Sequence, residues 1–362
     1  MKKNDHEWFI NNSRFLAAKL HAKLKRGHRK YDTLKYKDLK KTIGSTLLIE
    51  APRFISIYSL DDLDNNIIYH QTMEFRDKLK NQLSKKPAII DFTETEEITA
   101  AALVMLYATV DSSKNTKLAL SVRWSKSPRV NNLLRQSNFH KMVAGIETNK
   151  ALADKRALPV ISGVGKDRAE DILDFVKNRF YGPQMDGNTE HLYGDAVTET
   201  VNNVGRHAYP NKDILNKKWW LLCDVIGDNL YLAIFDLGVG IPQTVVKHKW
   251  FFRNARQVYP EQCSTVREQS NDRSRLIFKY SLSDENLINL SMQGDVTGTR
   301  KPQHGQGSKS IKALVSETDG GKLWVFSNKG LLTYESENEP PILYKLPVSL
   351  GGTLIQWNIK LR

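Results

Sequence analysis

Residues 193–210 read YGDAVTETVNNVGRHAYP; two apolar runs follow, WWLLCDVI and LYLAIFDL, and then the turn FDLGVGIP, which ends at Pro242. The polar run has the pattern of a helix and sets Glu199 and Asn203 four residues apart. That spacing puts both side chains on one helix face, one turn apart. The apolar runs read as strands joined by Gly227-Asp228-Asn229, a hairpin-like turn. The second strand delivers Asp236, with Gly238 and Gly240 just beyond it. A carboxylate and an amide on one helix face, opposite a turn of the form Asp-x-Gly-x-Gly, can hold a nucleotide with its metal.

Downstream, residues 243–304 form a long, polar, partly helical segment. It closes on His304-Gly305-Gln306-Gly307-Ser308-Lys309, followed by the helical run KALVSE. Glycines ahead of a helix expose backbone amides, and amides at a helix N-terminus bind anions. Gly305, Gly307 and Ser308 therefore form a candidate phosphate cradle, to which Lys309 either adds charge or points to solvent. The string is not a P-loop, which needs glycine directly before its lysine. The strands KLWVFS and LLTYES flank Asn328-Lys329-Gly330, and GGTLIQWNI is the last strand.

Three separated motifs, Glu199 to Asn203, Asp236 to Gly240 and Gly305 to Gly307, thus occur in a fixed order, with Gly351-Gly352-Thr353 ahead of the final strand. In that order and setting they resemble the GHKL ATPases, whose Bergerat fold is shared by gyrase, histidine kinases and mismatch-repair ATPases. The resemblance covers about residues 165–362 and implies a domain over 163–362, an α/β sandwich with a mixed sheet that binds ATP and Mg²⁺. It implies that Asn203 ligates Mg²⁺ and that Glu199 orients or deprotonates the attacking water. Asp236 then accepts from the adenine amino group, Gly238 and Gly240 let the backbone pass under the base, and Thr353 sits beside Asp236. Residues 243–304 become the ATP lid, carrying Arg253, Arg256, Arg267, Arg273, Arg275, Lys279, Arg300 and Lys301. His207 closes the first motif helix as a cap or near the lid.

The motifs leave the output open. No helical hairpin with an acceptor histidine precedes this half, which argues against a sensor histidine kinase. Glu199 suits a slow ATPase acting as a nucleotide-gated switch, or an anti-sigma-type serine/threonine kinase acting on a separate protein; a non-hydrolysing scaffold is the third reading. Relatives often dimerise, so a homodimer is among the expected assemblies.

Residues 45–162 alternate strands (TLLIEAP, FISIYSL, PAIIDF, KLALSV) with helical stretches near 71–85, 99–112 and 129–143, which implies an α/β domain. The order resembles the STAS fold, in which a strand ends in Asp and a hydroxyl at the next helix start accepts phosphate. Here the strand ends at Asp91 and the acceptor position is alanine, with Thr99 one position early. The resemblance implies a degenerate docking module for a protein partner rather than a working phospho-switch. Residues 155–165 read as a junction between the halves.

Residues 1–44 form a basic, partly helical arm, a candidate contact for nucleic acid or an acidic protein, although no DNA-reading motif is present. The whole chain carries a formal net charge of +14, which favours polyanionic partners. Two cysteines, Cys223 and Cys263, without a Cys/His cluster, argue against structural zinc and fit a reducing compartment. The opening MKKNDHEWF has no apolar core of a secretory signal, and the longest apolar run, 98–110, is shorter than the roughly 20 residues a membrane span needs. These features read as a cytoplasmic protein without a membrane segment.

Overall fold

The computed structural model describes residues 42–43, 46–58, 65–146, 160–164, 168–210, 212–213, 216–263, 281–293, 306–318 and 320–361. The basic arm thus lies outside the described residues, apart from its last strand residues. The chain is α/β with parallel and antiparallel pairing. Among the described residues no helix is long and apolar enough to cross a membrane.

The first half builds a four-stranded sheet in the order β1 (Thr42–Ile43), β2 (Thr46–Glu50), β4 (Ala88–Asp91), β6 (Leu120–Arg123). The last three strands run parallel, and β1 is antiparallel to β2. β3 (Phe54–Ile55) and β5 (Glu97–Ile98) pair apart from it, so the described part of the run FISIYSL contributes a short strand. Helices α1 (Asn65–Gln82) and α2 (Ala100–Ser113) follow β3 and β5. The single helix expected over 129–143 is two, α3 (Pro128–Gln136) and α4 (Phe139–Val143), divided at Asn138 with φ 58°.

In the second half, seven strands lie in the order β12 (Ile342–Lys345), β11 (Gly330–Tyr334), β10 (Lys322–Ser327), β13 (Thr353–Lys360), β9 (Asn229–Asp236), β8 (Lys218–Ile226), β7 (Ile161–Val164). Every pair in this sheet is antiparallel. This corrects the mixed sheet expected here: tight turns at Gly227 and Asn328 fold neighbouring strands straight back, and parallel pairing stays in the first half. β7 crosses the expected boundary at 162/163 and belongs to this sheet. Gly163 in it reads as a breaker, yet a side chain there would overlap the Trp219 ring.

The apolar runs of β8 and β9 are buried on both faces, and the pleat divides them by alternate residues. Trp219, Leu221, Leu230, Leu232 and Ile234 face a core with α5 (Ala169–Val176), α6 (Gly187–Asn203) and α11 (Gln306–Ser316). Trp220, Leu222, Ala233 and Phe235 face a second core shared with α1, α2 and the four-stranded sheet. α2 explains the apolar run in the sequence: residues 101–110 are buried all round, between the first half and β8 and β9. At its end the Asp111 carboxylate accepts from Trp220 Nε1 at 3.1 Å and pairs with Lys114 at 3.3 Å.

The described part of the expected lid is packed helix. α7 (Ile241–Val245), α8 (Phe251–Val258), α9 (Pro260–Cys263) and α10 (Asp284–Gln293) share an apolar cluster of Val245, Phe251, Ala255, Leu287 and Leu290. Residues 264–280 and 294–305, with Arg267, Arg273, Arg275, Lys279, Arg300, Lys301 and Gly305, lie outside the described residues.

Candidate functional site

α6 starts at Asp186, whose carboxylate accepts from Thr189 N at 2.9 Å, a side-chain cap. Tyr193, Ala196, Val197, Thr200 and Val201 turn into the core. Glu199 and Asn203 are left half-buried on the flank. The helix then widens into a π turn over Val204–Ala208, a distortion frequent at functional sites.

The third motif meets the first directly. A side chain at Gly307 would overlap the Glu199 carboxylate, whose Cδ is 2.6 Å from the Cβ position. Glycine is what allows α11 to begin against Glu199. Ser308 stands in the first turn of α11, and its Oγ is buried without a hydrogen-bond partner among the described residues. Lys309 is exposed and lines a cleft along α6 and α11 with Asp195, Lys312, Glu317 and Glu337.

The second motif meets the far end of the same helix. Val239 N donates to Ala208 O at 2.8 Å, and Gly238 lies against Ala208. The Tyr209 hydroxyl accepts from Leu237 N and donates to Lys218 O, both at 2.9 Å. Along the chain Ala208 is nine residues beyond Glu199, roughly 13 Å at helical rise. The helix therefore connects a carboxylate and glycine end to an Asp236 end.

Asp236 holds the last place of β9, in register with Thr353 on one side and Trp219 on the other. Its Oδ1 accepts from Gly238 N at 2.7 Å. Burial pushes its carboxyl up to about 7, and the Gly238 hydrogen bond only partly offsets this. Thr353 is adjacent, where the resemblance puts it; its hydroxyl pairs with Ser327 Oγ at 3.0 Å. Ser327 Oγ also accepts from Ile241 N at 2.9 Å. Asn328 Nδ2 donates to Val239 O at 3.0 Å and sits under Gly240, whose φ of +86° needs no Cβ. Ser327, Asn328 and Tyr209 thus brace the turn, although the sequence shows the first two only as a strand end and a hairpin.

His207 lies in the π turn, where its ring packs on His248 at 5.5 Å, and His248 stacks on Trp250 at 5.2 Å. Burial holds both imidazoles below the usual histidine range; His248, Arg206 and Lys217 lower His207 further. In the first half, Asp91 is engaged with Thr93 N and Arg123, both at 2.9 Å. Thr99 is the N-cap of α2, but its side chain makes no cap bond and its Oγ1 is buried without a partner.

Among the described residues no group of three or more His, Cys, Asp and Glu side chains is placed to hold a metal ion. No protein-family model matches this chain, and no curated protein matches it in sequence.

Proposed function

We propose that the second half binds ATP with Mg²⁺ and hydrolyses it slowly, as a nucleotide-gated switch that engages a protein or nucleic-acid partner. The observation that carries this reading is the seating of Gly307 on the Glu199 carboxylate. Two motifs far apart in sequence meet where a general base and a phosphate cradle must meet. Asp236, buried at the other end of the α6 assembly, supplies an acceptor for an adenine amino group.

The residues fit the ligand. The unpartnered Ser308 Oγ at a helix start is a donor that a phosphate oxygen satisfies. The Gly307 amide would cradle the same anion, with Lys309 at the rim; Gly305, which the resemblance adds to the cradle, lies outside the described residues. The Asn203 side-chain oxygen would hold Mg²⁺ together with phosphate and water oxygens. When bound, the ion neutralises charge on the phosphates. Glu199 takes or orients the proton of the attacking water. Gly238, Gly240 and Thr353 shape the base end.

γ-Labelled ATP tests the output. Release of free phosphate, lost in Glu199→Ala while nucleotide binding is kept, is the expected result. Normal hydrolysis by Glu199→Ala overturns the role of Glu199. Label on a protein partner makes the chain a kinase, and neither product makes it a scaffold.

A further inference from the structure

Helix α1 belongs to the first half, yet its buried face reaches the loop that leads into Thr353. Tyr69 and Arg76 lie two turns apart on that face. The Tyr69 hydroxyl donates to Val348 O at 2.9 Å, and the Arg76 guanidinium donates to Leu350 O. Arg76 is 9 % exposed, and Asp77 Oδ1 accepts from its Nε at 3.1 Å and from its Nη2 at 2.8 Å. A Cβ on Gly351 would stand 3.5 Å from Arg76 Nη1, so the guanidinium lies against the Leu350–Gly351 peptide.

The loop passes this restraint on. Leu350 N donates to Asn328 O at 2.8 Å, and Asn328 N donates to Gly352 O at 3.2 Å. Asn328, held at φ 50°, in turn donates from Nδ2 to Val239 O at 3.0 Å. Hydrogen bonds therefore run from Arg76 through Leu350 and Asn328 to the turn that carries Asp236. Packing alone does not account for a buried guanidinium, since an apolar side chain of similar volume fills space without the desolvation cost. What the guanidinium adds is a directed bond to one loop carbonyl.

We infer that Arg76 is a positioning residue of the nucleotide site: the first half clamps the loop 348–352 and thereby sets the affinity for adenine nucleotide. This rests on the nucleotide reading of Asp236 given above. The coupling is reciprocal, so bound nucleotide must also tighten the clamp on α1.

The test is calorimetric titration of the full chain with a non-hydrolysable ATP analogue and Mg²⁺, for wild type, Arg76→Met, Arg76→Lys and Tyr69→Phe. Arg76→Met is expected to weaken binding about ten-fold or more, with one site per folded chain and partial recovery in Arg76→Lys. Tyr69→Phe, which keeps the ring and loses one hydrogen bond, is expected to weaken it about three-fold and decides the matter where Arg76→Met does not fold. Amide exchange in 66–80 and 346–352 slows when the analogue binds. A purely structural Arg76 lowers the fraction of competent protein and leaves the dissociation constant unchanged. Variants with the wild-type constant, in a wild-type chain that binds, overturn this inference alone. A wild-type chain that binds no adenine nucleotide overturns it together with the reading of the site.

Discussion

At the residue scale, the Asp236 carboxyl is pushed up to about 7 by burial at the end of β9. Between about pH 4 and pH 7 the folded chain therefore keeps a proton that the unfolded chain has released. This contribution to stability is fully present below about pH 4 and is lost progressively as pH rises from there through about 7. His207 and His248 run the other way, because burial holds them below the usual range and acid then disfavours the fold. The comparison with Asp236→Asn separates the two effects. In urea unfolding without nucleotide, the wild type should lose stability relative to Asp236→Asn between about pH 4 and 7; parallel pH profiles across that range would contradict the burial argument. Glu199, Asn203, Asp236 and Gly307 were legible in the sequence because their signals are local: an i, i+4 pair, a strand-end acid, a glycine before a helix. Tyr209, Ser327 and Asn328 were not, because each acts on a segment remote in sequence, on Leu237, Ile241 and Val239.

At the scale of elements, the described part of the segment after Pro242 is packed helix. The resemblance implies a lid over 243–304, and in its described part Leu287, Ile288 and Leu290 of α10 are fully buried. α10 packs on α7 and on the edge of the sheet at β11 and β12. Leu287→Ala should therefore cost about 2–5 kcal/mol in chemical denaturation. A mobile lid would show almost no change. The strands β7 and β12 were missed for related reasons. β7 contains Gly163, which looks like a breaker but makes room for the Trp219 ring. β12 is a half-exposed edge strand after Pro340 and Pro341, with no apolar alternation of its own. Both exist through pairing with a neighbour rather than through local preference.

At the scale of the whole molecule, the α/β class followed from the alternation of strand and helix signals, but the union of the halves did not. One buried cluster contains Leu103 and Leu106 of α2 as well as Trp220, Phe235 and Leu354 of the large sheet. Such cross-packing has no signature in either segment alone; its one trace is that β8 and β9 carry unbroken apolar runs, 219–223 and 230–235, rather than apolar residues at alternate positions. A shared core implies that the halves unfold together. Calorimetry of the full chain should show one transition, and Trp220→Ala should lower all of it, by about 3–5 kcal/mol. Two resolved transitions, with only the later one moved, would contradict a common core. The same cross-packing places α1 beside the loop next to Asp236. The proposed recognition of adenine at this site is tested most directly by equilibrium titration of the full chain with Mg²⁺ and non-hydrolysable ATP or GTP analogues. The ATP analogue should bind one per chain, the GTP analogue at least about ten-fold more weakly, and Asp236→Asn should weaken the ATP analogue by a similar factor. Equal binding of both nucleotides, or an Asp236→Asn protein that binds like wild type, would contradict it.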